Sequence, residues 1–155
     1  MRDAAEATIL VTGATDGLGK RVASALARRG ATVLVHGRSP ERFEATLEEL
    51  RSQTGSQNVG SYMADLSSLG AVRDLADRIL SEYDRLDVLV NNAGIIVQER
   101  KESEDGYELT FAVNYLSHFL LTSLLLPLLK GSAPARVVNV ASAGQSPIDF
   151  DDPML

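Results

Sequence analysis

The sequence predicts an α/β domain built on a doubly wound parallel sheet. Two observations point there. Short apolar runs rich in β-branched residues alternate with helical patterns from end to end. One of them, inside "LDVLVNNAG" (86–94), is apolar without alternation, as a strand covered on both faces should be.

"ATILVT" (7–12) reads as the first strand and stops at Gly13. "GLGKRVASALARRG" (17–30) reads as a helix, with Leu18, Val22, Ala25, Leu26 and Arg29 at helical spacing and Gly30 as its C-terminal cap. The second strand is "ATVLVHG" (31–37). Ser39 followed by Pro40 starts a helix that runs to about Gln53. "NVGSYMAD" (58–65) is a weaker third strand because Asn58 and Gly60 lie in it, and 67–85 is a third helix. After the fourth strand comes a polar loop, 95–104. Asp105 and Glu108 are spaced as a reciprocal cap for a long helix, 106–130. "ARVVNVAS" (135–142) is the fifth strand. No repeat, linker or low-complexity tract interrupts the series, so one domain spans 1–155.

Bulk properties exclude several classes. A net charge of −6 argues against a nucleic-acid partner, whose phosphates need a basic face. There is no cysteine, which removes disulfide and thiolate chemistry. The two histidines, His36 and His118, are too few and too far apart to suggest zinc. The run "FLLTSLLLPLL" (119–129) is about half the length that spans a bilayer, so a buried helix and no membrane span are expected. The N-terminal apolar run flows straight into a glycine turn, unlike a signal peptide, and a cytoplasmic location is the expectation.

The chemistry concentrates at the first strand-to-helix junction, "TGATDGLG" (12–19). Gly13 allows a tight turn, Gly17 lets backbone approach a pyrophosphate, and Gly19 lets the helix lie close to the sheet. The helix N-terminus offers free N–H groups to phosphate. Gly13, Thr15, Asp16, Gly17, Leu18 and Gly19 are therefore candidate cofactor contacts. At the end of the second strand, "VHGRSPER" (35–42) carries no acid to hold a ribose 2′-hydroxyl. Arg38 stands where it meets a 2′-phosphate instead, with Ser39 and Arg42 as helpers. NADP (NADPH) is favoured over NAD.

"TGATDGLG", "ADL" (64–66), "NNAG" (91–94), the Asn114 of "FAVNYLSHF" and "VVNVAS" (137–142) follow one another in an order and spacing that resembles the short-chain dehydrogenase/reductase family. The stretch from Asp105 to Ser142 looks most like the branch that holds retinol dehydrogenases. The resemblance implies a Rossmann fold with strand order 3-2-1-4-5. It implies that Asp65 bonds the adenine amino group and Leu66 flanks it. Asn91, Ala93 and Gly94 would line the cofactor crevice and steady the fourth strand. Ser142 would bond the substrate carbonyl oxygen, and Asn114 would hold a water in the proton relay. A homodimer through helix 106–130 is also implied. His118, one turn beyond Asn114, reads as a packing or hydrogen-bonding residue.

The family's proton donor is the tyrosine of Tyr-x-x-x-Lys, whose pKa the lysine lowers. Here Tyr62, Tyr83, Tyr107 and Tyr115 are followed four residues later by Leu66, Asp87, Phe111 and Phe119. The pair is absent, and the expectation is that the sequence stops before the helix that carries it. The last strand would then be an apolar sheet edge. The complete protein is expected to move hydride between NADP and a carbonyl or secondary alcohol of a small apolar substrate. The 155 residues alone would be inactive or serve as a non-catalytic NADP-binding module. A methyltransferase on a related glycine turn is the remaining reading, disfavoured by "NNAG" with "VNVAS".

Overall fold

The computed structural model describes residues 3–55, 58–142 and 150–151. Five parallel strands form one sheet in the order β3-β2-β1-β4-β5. They are β1 (Thr8–Val11), β2 (Thr32–Gly37), β3 (Val59–Met63), β4 (Val88–Asn91) and β5 (Arg136–Asn139). Val11 pairs with Val35 on one side and Val90 on the other, and Val90 pairs with Val138, so the carboxyl ends lie level.

The side chains of each central strand alternate between two cores. Ile9, Val11, Val33, Val35 and Val90 face α1 (Gly17–Ala27) and α2 (Pro40–Thr54). Leu10, Leu34 and Leu89 face α3 (Leu69–Glu82) and the long helix α4 (Leu109–Gly131). Both faces of β1 are buried, which is why its sequence shows no polar alternation.

Several local expectations hold and several change. Gly30 ends α1 with φ +85°, its N–H bonding the carbonyl of Ala27 while Ala31 N–H bonds that of Leu26, the double bond of a glycine-terminated helix. The buried face of α1 is Gly19, Ala23 and Ala27 rather than the stripe through Leu18. These small residues let the helix lie close on the sheet, and Leu18 is left 57% exposed at the crevice described below.

Asp105 and Glu108 do not cap one helix reciprocally. Glu108 is itself the N-cap of α4, accepting from the N–H groups of Thr110 (2.8 Å) and Phe111 (2.7 Å). Gly106, at φ +81°, turns the chain between them. Asp105 faces the neighbouring helix and accepts from Leu69 N–H at 2.8 Å, at the start of α3.

Helix α4 contains a π-helical turn, Ala112–Leu116. The expectation of no membrane span rested on the run 119–129 alone. The helix that contains it has 23 residues and is long and apolar enough to cross a membrane by length and composition. Leu121, Leu125 and Leu129 pack into the core with Val72, Leu75 and Ile79 of α3. Among the described residues, strand β5 is a sheet edge with all four residues exposed.

Candidate functional site

β1 sits where the strand order reverses, with β2 and β4 as its neighbours, and a crevice opens there outside the carboxyl ends. Its volume is about 460 Å³. The loop after β1 supplies Gly13, Thr15, Asp16, Gly17 and Leu18. Gly13 has φ +62°, and a Cβ there would stand 2.8 Å from the Cα of Ala93. Gly17 has φ +54° with nothing within 4 Å of a Cβ position, so this backbone faces open space that a side chain would fill. Gly19 is buried beneath the loop, where a Cβ would strike the carbonyl of Gly13 and the amide of Asn92. Asp16 is the N-cap of α1, its carboxylate accepting from Gly17 N–H at 2.7 Å.

The loop is tied to the end of β4 by a clamp. Thr12 donates its hydroxyl to the Val90 carbonyl at 3.2 Å and accepts from the N–H groups of Asn92 (2.9 Å) and Ala93 (3.0 Å). Asn92 returns its amide N–H₂ to the carbonyls of Thr12 (2.9 Å) and Gly13 (3.2 Å). Asn92, Ala93, Gly94 and Ile95 line the crevice. Asn91 does not, contrary to expectation. Alternation along β4 turns it into the protein, 1% exposed, where its Nδ2 donates to Asn139 (2.8 Å) and Thr122 (3.1 Å). It steadies the β4–β5 pair and stands one residue too early to face the crevice.

The far wall comes from β2 and β3. His36, Gly37, Arg38 and, from α2, Arg42 line it, with Ala64, Asp65 and Leu66 beyond. Arg38 is exposed. The guanidinium of Arg42 lies 3.4 Å from the carboxylate of Asp16, an exposed pair at the crevice mouth. Asp65 also accepts from Ser67 N–H at 2.9 Å. Leu66 is 4% exposed and forms part of the floor. His36 is 3% exposed, and burial pulls its pKa from 6.5 to about 4, against the opposing effects of the Ala64 carbonyl and Asp65. Gly37 is needed where it stands, because a Cβ there would run into the side chain of Thr15.

The two expected catalytic residues lie at the same end of the sheet. Asn114 sits in the π-helical turn. Its Oδ1 accepts from Ile95 N–H at 2.9 Å and its Nδ2 donates to the Ile95 carbonyl at 2.8 Å. The side chain thus fixes the loop that leaves β4. Ser142 follows β5, is exposed, and is not among the residues lining the crevice. Burial lowers the pKa of His118, opposed by a bond to the Ala93 carbonyl. Of the tail "IDFDDPML" (148–155), expected to lead into the next helix, all but Phe150 and Asp151 lies outside the described residues.

Sequence reasoning missed His36, Gly37 and the Thr12–Asn92 clamp. Gly37 was detectable as a glycine closing a strand that faces a glycine loop. The other two carry no local signal, since their partners lie 23 to 80 residues away.

A glycine loop opening a helix at the switch point of a parallel sheet defines a dinucleotide-binding α/β protein. The chain belongs to the short chain dehydrogenase family, whose pattern matches residues 7–149. Within it the sequence falls in the retinol dehydrogenase branch. It is 44% identical to human retinol dehydrogenase 13 over 147 residues, covering 94% of this chain and 44% of that protein. Human retinol dehydrogenase 14 is also 44% identical, over 94% of this chain and 48% of its own. The chain therefore spans less than half the length of these relatives. Among solved structures, a short chain dehydrogenase from Shigella flexneri superposes with a TM-score of 0.78 at 33% identity, over 92% of this chain and 65% of that one. A Shigella flexneri short chain dehydrogenase complexed with NADP gives 0.71 at 34% identity, over 83% and 55%.

Proposed function

We propose that the protein is the cofactor-binding part of an NADP-preferring oxidoreductase acting on a carbonyl or secondary alcohol of a small, apolar molecule. The observation that carries the cofactor preference is the end of β2. It presents Arg38 to the crevice with Arg42 behind it, and it has no carboxylate to hold a 2′-hydroxyl. A forked guanidinium suits a phosphate. The crevice fits the rest of a dinucleotide, because Gly17 leaves open the space that a side chain would fill. The NADP-complexed relative adds to this reading, as do the retinol dehydrogenases for an apolar substrate.

When bound, NADP supplies hydride chemistry at its nicotinamide. The chain's own residues bind and orient. The loop of Gly13 to Gly19 receives phosphate against the N-terminus of α1. Asp65 and Leu66 take the adenine. Asn114 holds the Ile95 backbone and with it the crevice wall. Ser142 holds the substrate oxygen.

No tyrosine in the 155 residues has the lysine partner that proton donation requires. Burial, and then the Glu82 carboxylate, push the Tyr62 phenol further up, away from proton exchange near neutral pH. These residues alone are therefore a binding unit with little turnover.

The test is fluorescence titration with NADPH and NADH. NADPH binds more tightly, and Arg38→Ala weakens NADPH by about tenfold while leaving NADH nearly unchanged. Equal affinity for both cofactors in the unsubstituted chain would remove the NADP assignment.

A further inference from the structure

The crevice has a hub at the end of β2. His36 is almost wholly buried at the end of β2, yet both of its ring nitrogens are engaged. Nδ1 accepts from the Gly13 N–H at 3.1 Å. Nε2 lies 3.1 Å from the carbonyl of Ala64. Because Nδ1 faces a donor, it carries a lone pair, and the ring proton stands on Nε2, donated to Ala64. The backbone repeats the connection. The His36 carbonyl accepts from Ala14 N–H at 2.8 Å, and the Gly37 carbonyl accepts from Ala64 N–H at 3.2 Å. One residue thus ties the glycine turn after β1 to the Ala64–Asp65–Leu66 turn after β3.

Residues of both turns line the crevice. Gly13 has little freedom to compensate, since on its other side it lies against Ala93. Its N–H is taken by His36, so the donors left for phosphate come later in the loop.

We propose that His36 is a positioning residue for the adenosine half of the cofactor, setting the gap between the glycine loop and the Asp65 turn through its two ring hydrogen bonds. This rests on the reading of the crevice as an NADP site. The residue acts through the Gly13 and Ala64 backbone that it holds. Its effect falls on binding at one end of the dinucleotide.

The experiment uses the intact chain and two probes, NADPH and 2′,5′-ADP, which carries the adenosine half alone. His36→Phe keeps a ring of similar shape without the nitrogen atoms. His36→Asn restores an acceptor and a donor. Val33→Ala, on the same strand but the opposite face of the sheet and away from the crevice, controls for lost stability.

His36→Phe is expected to weaken both probes by the same factor, about tenfold, while His36→Asn recovers most of that loss. Val33→Ala is expected to lower Tm with both affinities unchanged. Wild-type affinity in His36→Phe overturns the proposal, as does equal loss in the Val33 control. Failure of the unsubstituted chain to bind either probe overturns the cofactor reading itself, and the proposal with it.

Should His36→Phe not fold, nitrogen-15 spectra of the unsubstituted chain decide. A protonated Nε2, a bare Nδ1 and ring resonances that move when 2′,5′-ADP is added support the proposal. The opposite tautomer, or unmoved resonances, overturns it.

Discussion

The side-chain amide of Asn92 donates to the carbonyl of Thr12 at 2.9 Å, while the Thr12 hydroxyl accepts the backbone N–H of Asn92 at the same distance. This reciprocal pair joins β1 to β4 at the floor of the crevice. Replacing Asn92 by Asp puts a carboxylate against the carbonyls of Thr12 and Gly13. Asn92→Asp is expected to lower the unfolding free energy by about 2–3 kcal/mol, and Asn92→Ala by about 1–2 kcal/mol. Urea denaturation measures both.

Gly17 and Gly19 should respond to alanine in different ways. At Gly19 the added Cβ meets backbone and the Asn92 amide, so Gly19→Ala must shift α1 away from the sheet and lose both stability and cofactor affinity. At Gly17 the space is open, and the cost is the left-handed backbone, about 1–2 kcal/mol. Gly17→Ala should therefore stay folded yet bind NADPH poorly, because its methyl group occupies the open cradle. Circular dichroism paired with NADPH titration separates the two effects.

Glu108 and Asp105 cap different helices, and their variants should report on different parts of the fold. Glu108→Ala removes two hydrogen bonds from the start of α4 and costs about 1–2 kcal/mol. Asp105→Ala should instead loosen the first turn of α3. Amide exchange at Leu69 N–H rises in Asp105→Ala and not in Glu108→Ala, whereas a shared cap would raise it in both.

His36 makes stability depend on pH in a window set by its own shift. Its pKa in the folded chain is about 4, against 6.5 for the free side chain, with burial the main cause. Between these values the unfolded chain binds a proton that the folded chain refuses. Stability is therefore full above pH 6.5 and falls as pH drops toward 4. The loss across that window is about 3 kcal/mol. Urea midpoints from pH 7 down to 4 should fall more steeply for the unsubstituted chain than for His36→Asn. Parallel curves would show that His36 does not contribute.

Along α4, Phe111, Tyr115 and Phe119 stack with ring centroids 5.2 Å and 6.5 Å apart. Tyr115 and Phe119 are 57% and 63% exposed, and Leu126 continues the stripe at 40%. The homodimer expected through helix 106–130 would use this face. Light scattering should give a dimer that Phe119→Glu converts to monomer. A monomer for the unsubstituted chain at tens of micromolar would end that expectation.

What the sequence determined by itself was whatever is encoded within a few residues. β-branched runs, helix starts at Ser39–Pro40 and the glycine stop at Gly30 placed the elements to within a few positions. The spacing of Gly13, Gly17 and Gly19 located the crevice, and the missing acid after β2 was visible in the same way. Tertiary structure decided which way side chains turn and what they reach. Leu18 lies at the crevice because Gly19, Ala23 and Ala27 take the close packing. Asn91 is buried because strand alternation leaves the crevice to its neighbours. Asp105 serves a helix that begins 36 residues earlier, and His36 joins the turns after β1 and β3. Hydrogen bonds across such separations leave no periodic trace in a sequence, because they form only once the sheet has brought its strand ends level.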